Sequence, residues 1–171
     1  SHFEALLALA LTRYGANVEI MLCDKVLNAC HLTTTSAIDE EKYLKKGQKK
    51  ICNSCLDSGR EAFEGLGLKI NYYSKFINDK EILDVDKKIQ NLTIDQMINY
   101  IEDDVPIGEH AHSGALRFYA VGSLVKEKNG KEVLKKYLHA ALVTKKIFFN
   151  FFTKKKFNKI ILNHAIYVPQ G

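Results

Sequence analysis

All the cysteine in this chain falls between positions 23 and 55, as Cys23, Cys30, Cys52 and Cys55. Four thiols crowded into so short a stretch constrain the fold strongly, because thiolates that share one metal ion tie separate parts of a chain together. Cys52 and Cys55 form C-x2-C within ICNSC, a spacing that lets two thiolates of one tight turn bind one ion, with Cys23 and Cys30 to supply the other half. Zinc suits four thiolates in a tetrahedral shell and adds folding free energy without redox chemistry. The expectation is therefore a structural zinc held by a cysteine-containing insertion over residues 23–58, with His31 able to replace one thiolate. The full spacing, C-x6-C-x21-C-x2-C, has one short pair only, so buried thiols, disulfides, an iron–sulfur cluster and a redox C-x-x-C pair stay open. Read from Ser1, the sequence lacks the layout of a secretion signal, which ranks disulfides below the metal.

At 171 residues with 46% hydrophobic content the chain can bury a substantial core, and one α/β domain over 1–171 is expected. The formal charge is +5, and arginine occurs only at Arg13, Arg60 and Arg117. Phosphate and base recognition lean on the arginine fork, so no nucleic-acid partner is expected. No apolar run approaches the roughly 20 residues of a membrane-spanning helix, and a cytoplasmic location is expected.

The opening from Phe3 to Tyr14 carries an unbroken alanine and leucine run over residues 5–11 and stops at Gly15, which predicts a buried helix. Val18, Ile20 and Leu22 then alternate with Glu19 and Met21, predicting a strand and with it a helix–turn–strand unit of an α/β sheet. The strand that would feed the first helix is not in the sequence, and Pro169-Gln170-Gly171 reads as a turn leading onward, so the chain is expected to be an excerpt of a larger protein. A helix over 56–66 and an extended piece over 68–72 follow the cysteines. Residues 78–91 are charged and weakly patterned. Thr93 caps a helix expected to run to Glu102, and a break over 103–108 precedes a helix expected from Ala115 to Leu124. A long helix from Lys131 to about Phe152 buries Val133, Leu134, Tyr137, Leu138, Ala141 and Leu142. A strand is expected over 159–162.

Glu109-His110-Ala111-His112-Ser113-Gly114 stands immediately before one predicted helix start, where free N–H groups and the positive dipole end can hold a phosphate or carboxylate, and Ser113 can equally be the cap. Phe148, Phe149, Phe151, Phe152 and Phe157 interleave with Lys145, Lys146, Lys154, Lys155 and Lys156. That mixture fits core packing with a solvated lysine rim, and it also fits a peripheral membrane contact through 145–159 at the inner face of an anionic bilayer.

The opening SHFEALLALALTRYGANVEIMLCD, the ICNSC cysteines, the GEHAHSGALRFYAVG stretch and the NHAIYVPQG ending together resemble the N-terminal portion of GT-B glycosyltransferases of bacterial capsule and surface-polysaccharide biosynthesis. Ser1 stands where that family usually has glycine. The resemblance implies a Rossmann-like fold, a mostly parallel sheet flanked by helices, in a two-domain enzyme. Its C-terminal domain, absent from the sequence, would bind the nucleotide-sugar donor, while this portion offers a sugar acceptor, lipid-linked in one version. It implies His2 as the base toward the acceptor hydroxyl, for which a neutral imidazole is chemically suited. Glu109, His110, Ser113, Arg117 and His164 are the further substrate-binding candidates, Arg117 for its planar fork. By itself the portion is expected to be inactive.

Two readings of other classes compete. One is a zinc-clipped binding or scaffold module that docks a partner or a membrane, and the other is a metal-dependent hydrolase using His110, His112 and His164.

Overall fold

A computed structural model describes residues 2–162 and 167–169, with side chains from Phe3 onward. Its elements in chain order are α1 (His2–Arg13), β1 (Glu19–Leu22), α2 (Glu40–Lys46), α3 (Lys49–Glu64), β2 (Lys69–Tyr72), α4 (Asp79–Ile89), α5 (Ile94–Ile98), α6 (Ile107–Tyr119) and α7 (Gly130–Lys154). They fall into two compact units, Ser1–Val26 with Lys49–Lys75, and Leu27–Gln48 with Phe76–Gly171. The chain is thus a mixed α/β protein whose described residues form one parallel pair of strands.

In the first unit the alternation read from the sequence becomes a two-faced pair of strands. β1 and β2 run parallel with Glu19 opposite Lys69, Ile20 opposite Ile70 and Leu22 opposite Tyr72. Parallel pairing requires a long return connection, and α3 supplies it within this unit. Ile20 and Ile70 face a cluster of Ala5 and Ala8 from α1 with Phe63 and Leu68, so both helices cover one face of the pair. On the other face, Glu19 accepts from Lys69 Nζ at 2.7 Å and from Asn71 Nδ2 at 2.9 Å. α1 is less enclosed than its composition predicts. Its alanines are buried, but Phe3 and Leu6 are 74% and 64% exposed, because only the alanine stripe lies against α3 and the strands.

The second unit is helical. α7 is its axis: from Tyr137 to Thr144 eight consecutive residues are buried, so this stretch has no exposed residue on any side. α4, α5 and α6 pack around it. Gly114 lets α6 approach closely, since a Cβ there would lie 2.4 Å from the Tyr137 ring. The Tyr137 hydroxyl in turn lies 3.0 Å from the carbonyls of both Cys30 and Thr33, a donor shared between them. Thr33 donates to Gln48, whose Nε2 donates to Leu27 O at 3.1 Å, so a buried polar chain organises the segment that leads into α2.

Several expectations are corrected. Residues 78–91 contain a full helix, α4, closed at its start by a reciprocal capping box between Asn78 and Glu81 and buried through Val85 and Ile89. α5 has the predicted Thr93 cap but ends at Ile98; Glu102 and Val105 instead close a tight turn, with Asp103 and Asp104 in the left-handed region. α6 begins at Ile107 rather than Ala115, because Ile107, Ala111, Ala115 and Phe118 already mark one buried helical face. Residues 159–162 form no strand. A strand needs a hydrogen-bonding neighbour, and the described residues of their unit offer none.

Candidate functional site

The carboxyl ends of β1 and β2 are the natural place to look for a ligand site in a parallel arrangement, since strand ends and the following loops collect polar groups there. Cys23-Asp24 follows β1, and Tyr73-Ser74 follows β2. The Asp24 carboxylate accepts from the Ser74 backbone N–H at 3.0 Å and also from the Ser74 hydroxyl. One carboxylate therefore pins the two strand ends together. Tyr73 is buried beside it, and burial, followed by the nearby Cys23, pushes its phenol well above the ordinary tyrosine value. Tyr73 is therefore a neutral hydroxyl at this edge, not a phenolate.

In the second unit a cleft of about 320 Å³ is lined by Asn28, Leu44, Asp86, Glu132, Lys136 and His139 among others. His139 comes from the enclosed part of α7 and is 7% exposed. Its Nε2 lies 3.3 Å from Asp86 Oδ1 on α4. Among the described residues its buried Nδ1 has no hydrogen-bond partner, and neither has Asn28 Oδ1. Burial holds the imidazole below its ordinary pKa despite the opposing Asp86, and burial lowers the Lys136 ammonium too, which stands 5.2 Å from the Tyr43 ring centroid. A neutral imidazole backed by a carboxylate can take a proton from a hydroxyl. None of these residues is singled out by the sequence. Glu132, Lys136 and His139 share a face only because α7 runs through them, and Asp86 sits on the helix whose pattern is weak.

The candidates named from the sequence are dispersed. Glu109, His110, Ser113 and Arg117 all ride on α6, but Ser113 and Arg117 lie inside the helix rather than at its start, so Ser113 is not a cap and neither residue meets the free N–H groups. Arg117 Nε donates to His31 O at 3.1 Å, and its guanidinium lies 5.0 Å from the Tyr167 ring centroid, which makes it a clamp on two loops of its unit. His110 lines an apolar groove described below, Glu109 is exposed, and burial lowers the pKa of half-buried His112. His2 opens α1, and its side chain, like the whole of His164, lies outside the described residues.

The cysteines also differ from their expected setting. Cys52 and Cys55 stand three positions apart inside α3, on one helical face, not in a tight turn, because Lys49 to Glu64 continues as one amphipathic helix. Cys23 belongs with them to the first unit and Cys30 to the second. No disulfide joins any of the four. Among the described residues no three Cys, His, Asp or Glu side chains gather as metal ligands, the four cysteines included.

Among the described residues no helix is long and apolar enough to cross a membrane. No protein-family model matches the chain, and neither a curated protein nor a solved structure matches it.

Proposed function

We propose that this chain is the acceptor-side portion of a GT-B glycosyltransferase of bacterial surface-polysaccharide biosynthesis, with a Rossmann-like core and with the nucleotide-sugar donor bound mainly by a second domain. The observation that carries the reading is the β1–α3–β2 arrangement in parallel register, whose carboxyl ends are drawn together by the Asp24–Ser74 bonds at the LCD motif. That is the edge at which open α/β sheets take ligands. The reading names His2 as the proton acceptor and the residues of α6 as contributors to the acceptor side, and it keeps a structural zinc on the cysteines.

The test is nucleotide release by the full gene product from UDP-, dTDP-, GDP-, ADP- and CMP-sugars, with a membrane lipid and polysaccharide extract as the source of acceptor. Acceptor-stimulated release from one donor, abolished by His2→Ala with the circular dichroism unchanged, supports the reading. No release from any donor overturns it. Release lost in His139→Gln but retained in His2→Ala would move the proton acceptor to the His139–Asp86 cleft and remove His2 from the mechanism.

A further inference from the structure

α7 ends in a surface unlike the rest of its unit. Phe151 is buried and packs against Phe76 and Phe157, so part of the phenylalanine cluster is core. Phe149 and Phe152 reach the surface, 60% and 37% exposed and three positions apart on α7, Phe152 while its ring still meets those of Phe148, Phe151 and Phe157. Thr153 and, beyond the end of the helix, Lys156 are exposed as well. The segment after the helix adds Ile160, Ile161 and Leu162, each more than half exposed. Phe152, Ile160 and Leu162 also line a groove of about 250 Å³ whose other walls include Ile107, Phe148 and Val168. Phe152, Ile160 and Leu162 are therefore joined through a common groove, with Phe149 and Ile161 as their near neighbours in the chain, which separates them from the singly scattered hydrophobics that any surface carries.

Charge gives this face its partner. Residues 145–162 contain six lysines, at 145, 146, 154, 155, 156 and 159, and no acidic residue. Two of them are already committed: Lys145 to Glu102 and Asp103, and Lys146 to Glu81 at 3.4 Å. Lys156 and Lys159 are exposed and form no ion pair among the described residues. Lys154 is exposed, with its ammonium over the Phe76 ring at 5.7 Å from the centroid and no carboxylate paired to it among the described residues. Exposed phenylalanine and aliphatic side chains flanked by uncompensated lysines match a bilayer interface with acidic headgroups: the apolar groups enter the headgroup boundary and each lysine gains from the negative surface potential.

We propose that this face, Phe149, Phe152 and Ile160 to Leu162 with Lys154, Lys156 and Lys159 at its rim, docks on an anionic lipid bilayer. The inference does not rest on the sugar-transfer reading, since it uses no residue of that chemistry.

The test is co-sedimentation of the full chain with phosphatidylcholine vesicles, with and without phosphatidylglycerol as a third of the lipid, at low and high salt. Binding is expected only to the phosphatidylglycerol vesicles and should weaken as salt screens the lysines. Phe149→Ser with Phe152→Ser should weaken it about tenfold or more through lost apolar burial. Lys154→Glu, Lys156→Glu and Lys159→Glu together should abolish it. Phe152 also touches the rings of Phe148, Phe151 and Phe157, so circular dichroism checks the fold of the pair, and Phe149→Ser alone, at a 60% exposed position, should weaken binding in the same direction. Equal binding to both vesicles, binding to neither, or binding insensitive to the phenylalanine pair overturns the proposal. So does self-association by light scattering that the phenylalanine pair abolishes without any vesicle binding, which would make the face an interface between copies of this chain.

Discussion

His139 shows how much a single side chain is governed by its surroundings. It lies in the enclosed stretch of α7, and burial, only partly offset by Asp86 and reinforced by Lys136, depresses its pKa below the ordinary 6.5. In the unfolded chain the imidazole takes up a proton near 6.5; in the fold it resists until lower pH. Between those two values the unfolded state binds more protons, so stability is complete above about pH 6.5 and is lost as pH falls toward the folded value. Denaturant titrations from pH 8 to pH 5 should show that decline, and His139→Gln should flatten it. Some slope remains in the variant, because burial shifts His112 in the same direction. A decline identical in wild type and variant would show that His139 is not held neutral.

At the scale of elements, the tight points are the glycines of α6. A Cβ at Gly108 would lie 2.3 Å from Ile98 O and 2.4 Å from Met97 O, atoms of a backbone that cannot rotate away, while one at Gly114 would meet the Tyr137 ring. Alanine is the better helix former by about 1 kcal/mol, yet overpacking costs roughly 1–3 kcal/mol or more, so packing wins. Gly108→Ala and Gly114→Ala should both lower the thermal midpoint, Gly108→Ala the more. Gly122→Ala, with nothing within 4 Å, should be near neutral.

The helices also show what was legible in advance. Every residue assigned to the buried face of α7, from Val133 to Leu142, is buried, and the Thr93 cap and the β1 and β2 strands fall where alternation and capping put them. α4 was readable in principle from Asn78, Glu81, Val85 and Ile89, but its charged positions dilute the periodicity. Periodicity finds one face and cannot reveal that a second and third helix cover the others. That is why His139, Ala140, Val143 and Thr144 gave no sign of burial, and why the His139–Asp86 cleft was invisible. The placing of Arg117 shows a related limit: its helix starts ten residues earlier, at Ile107, so it stands inside α6 and not beside the helix start.

On the scale of the whole molecule, the chain returns to its first unit after the excursion through residues 27–48, so neither unit is a continuous stretch of sequence. The cysteines straddle that division in sequence, which makes the proposed zinc a direct question about the composition of the protein. Elemental analysis of protein purified without chelator should find one zinc per chain, absent from Cys52→Ser with Cys55→Ser. Metal-free protein whose four thiols all react with a thiol reagent at native pH would remove the zinc and leave the fold as described.

The enclosure of Tyr137 to Thr144 has one more effect. A helix with water on one side can fray or breathe while its neighbours stay put; this one touches water only at the edges of two clefts, through His139, Ala141 and Thr144. Its amide protons meet solvent only when the surrounding helices come apart, so their exchange times the opening of the entire helical unit.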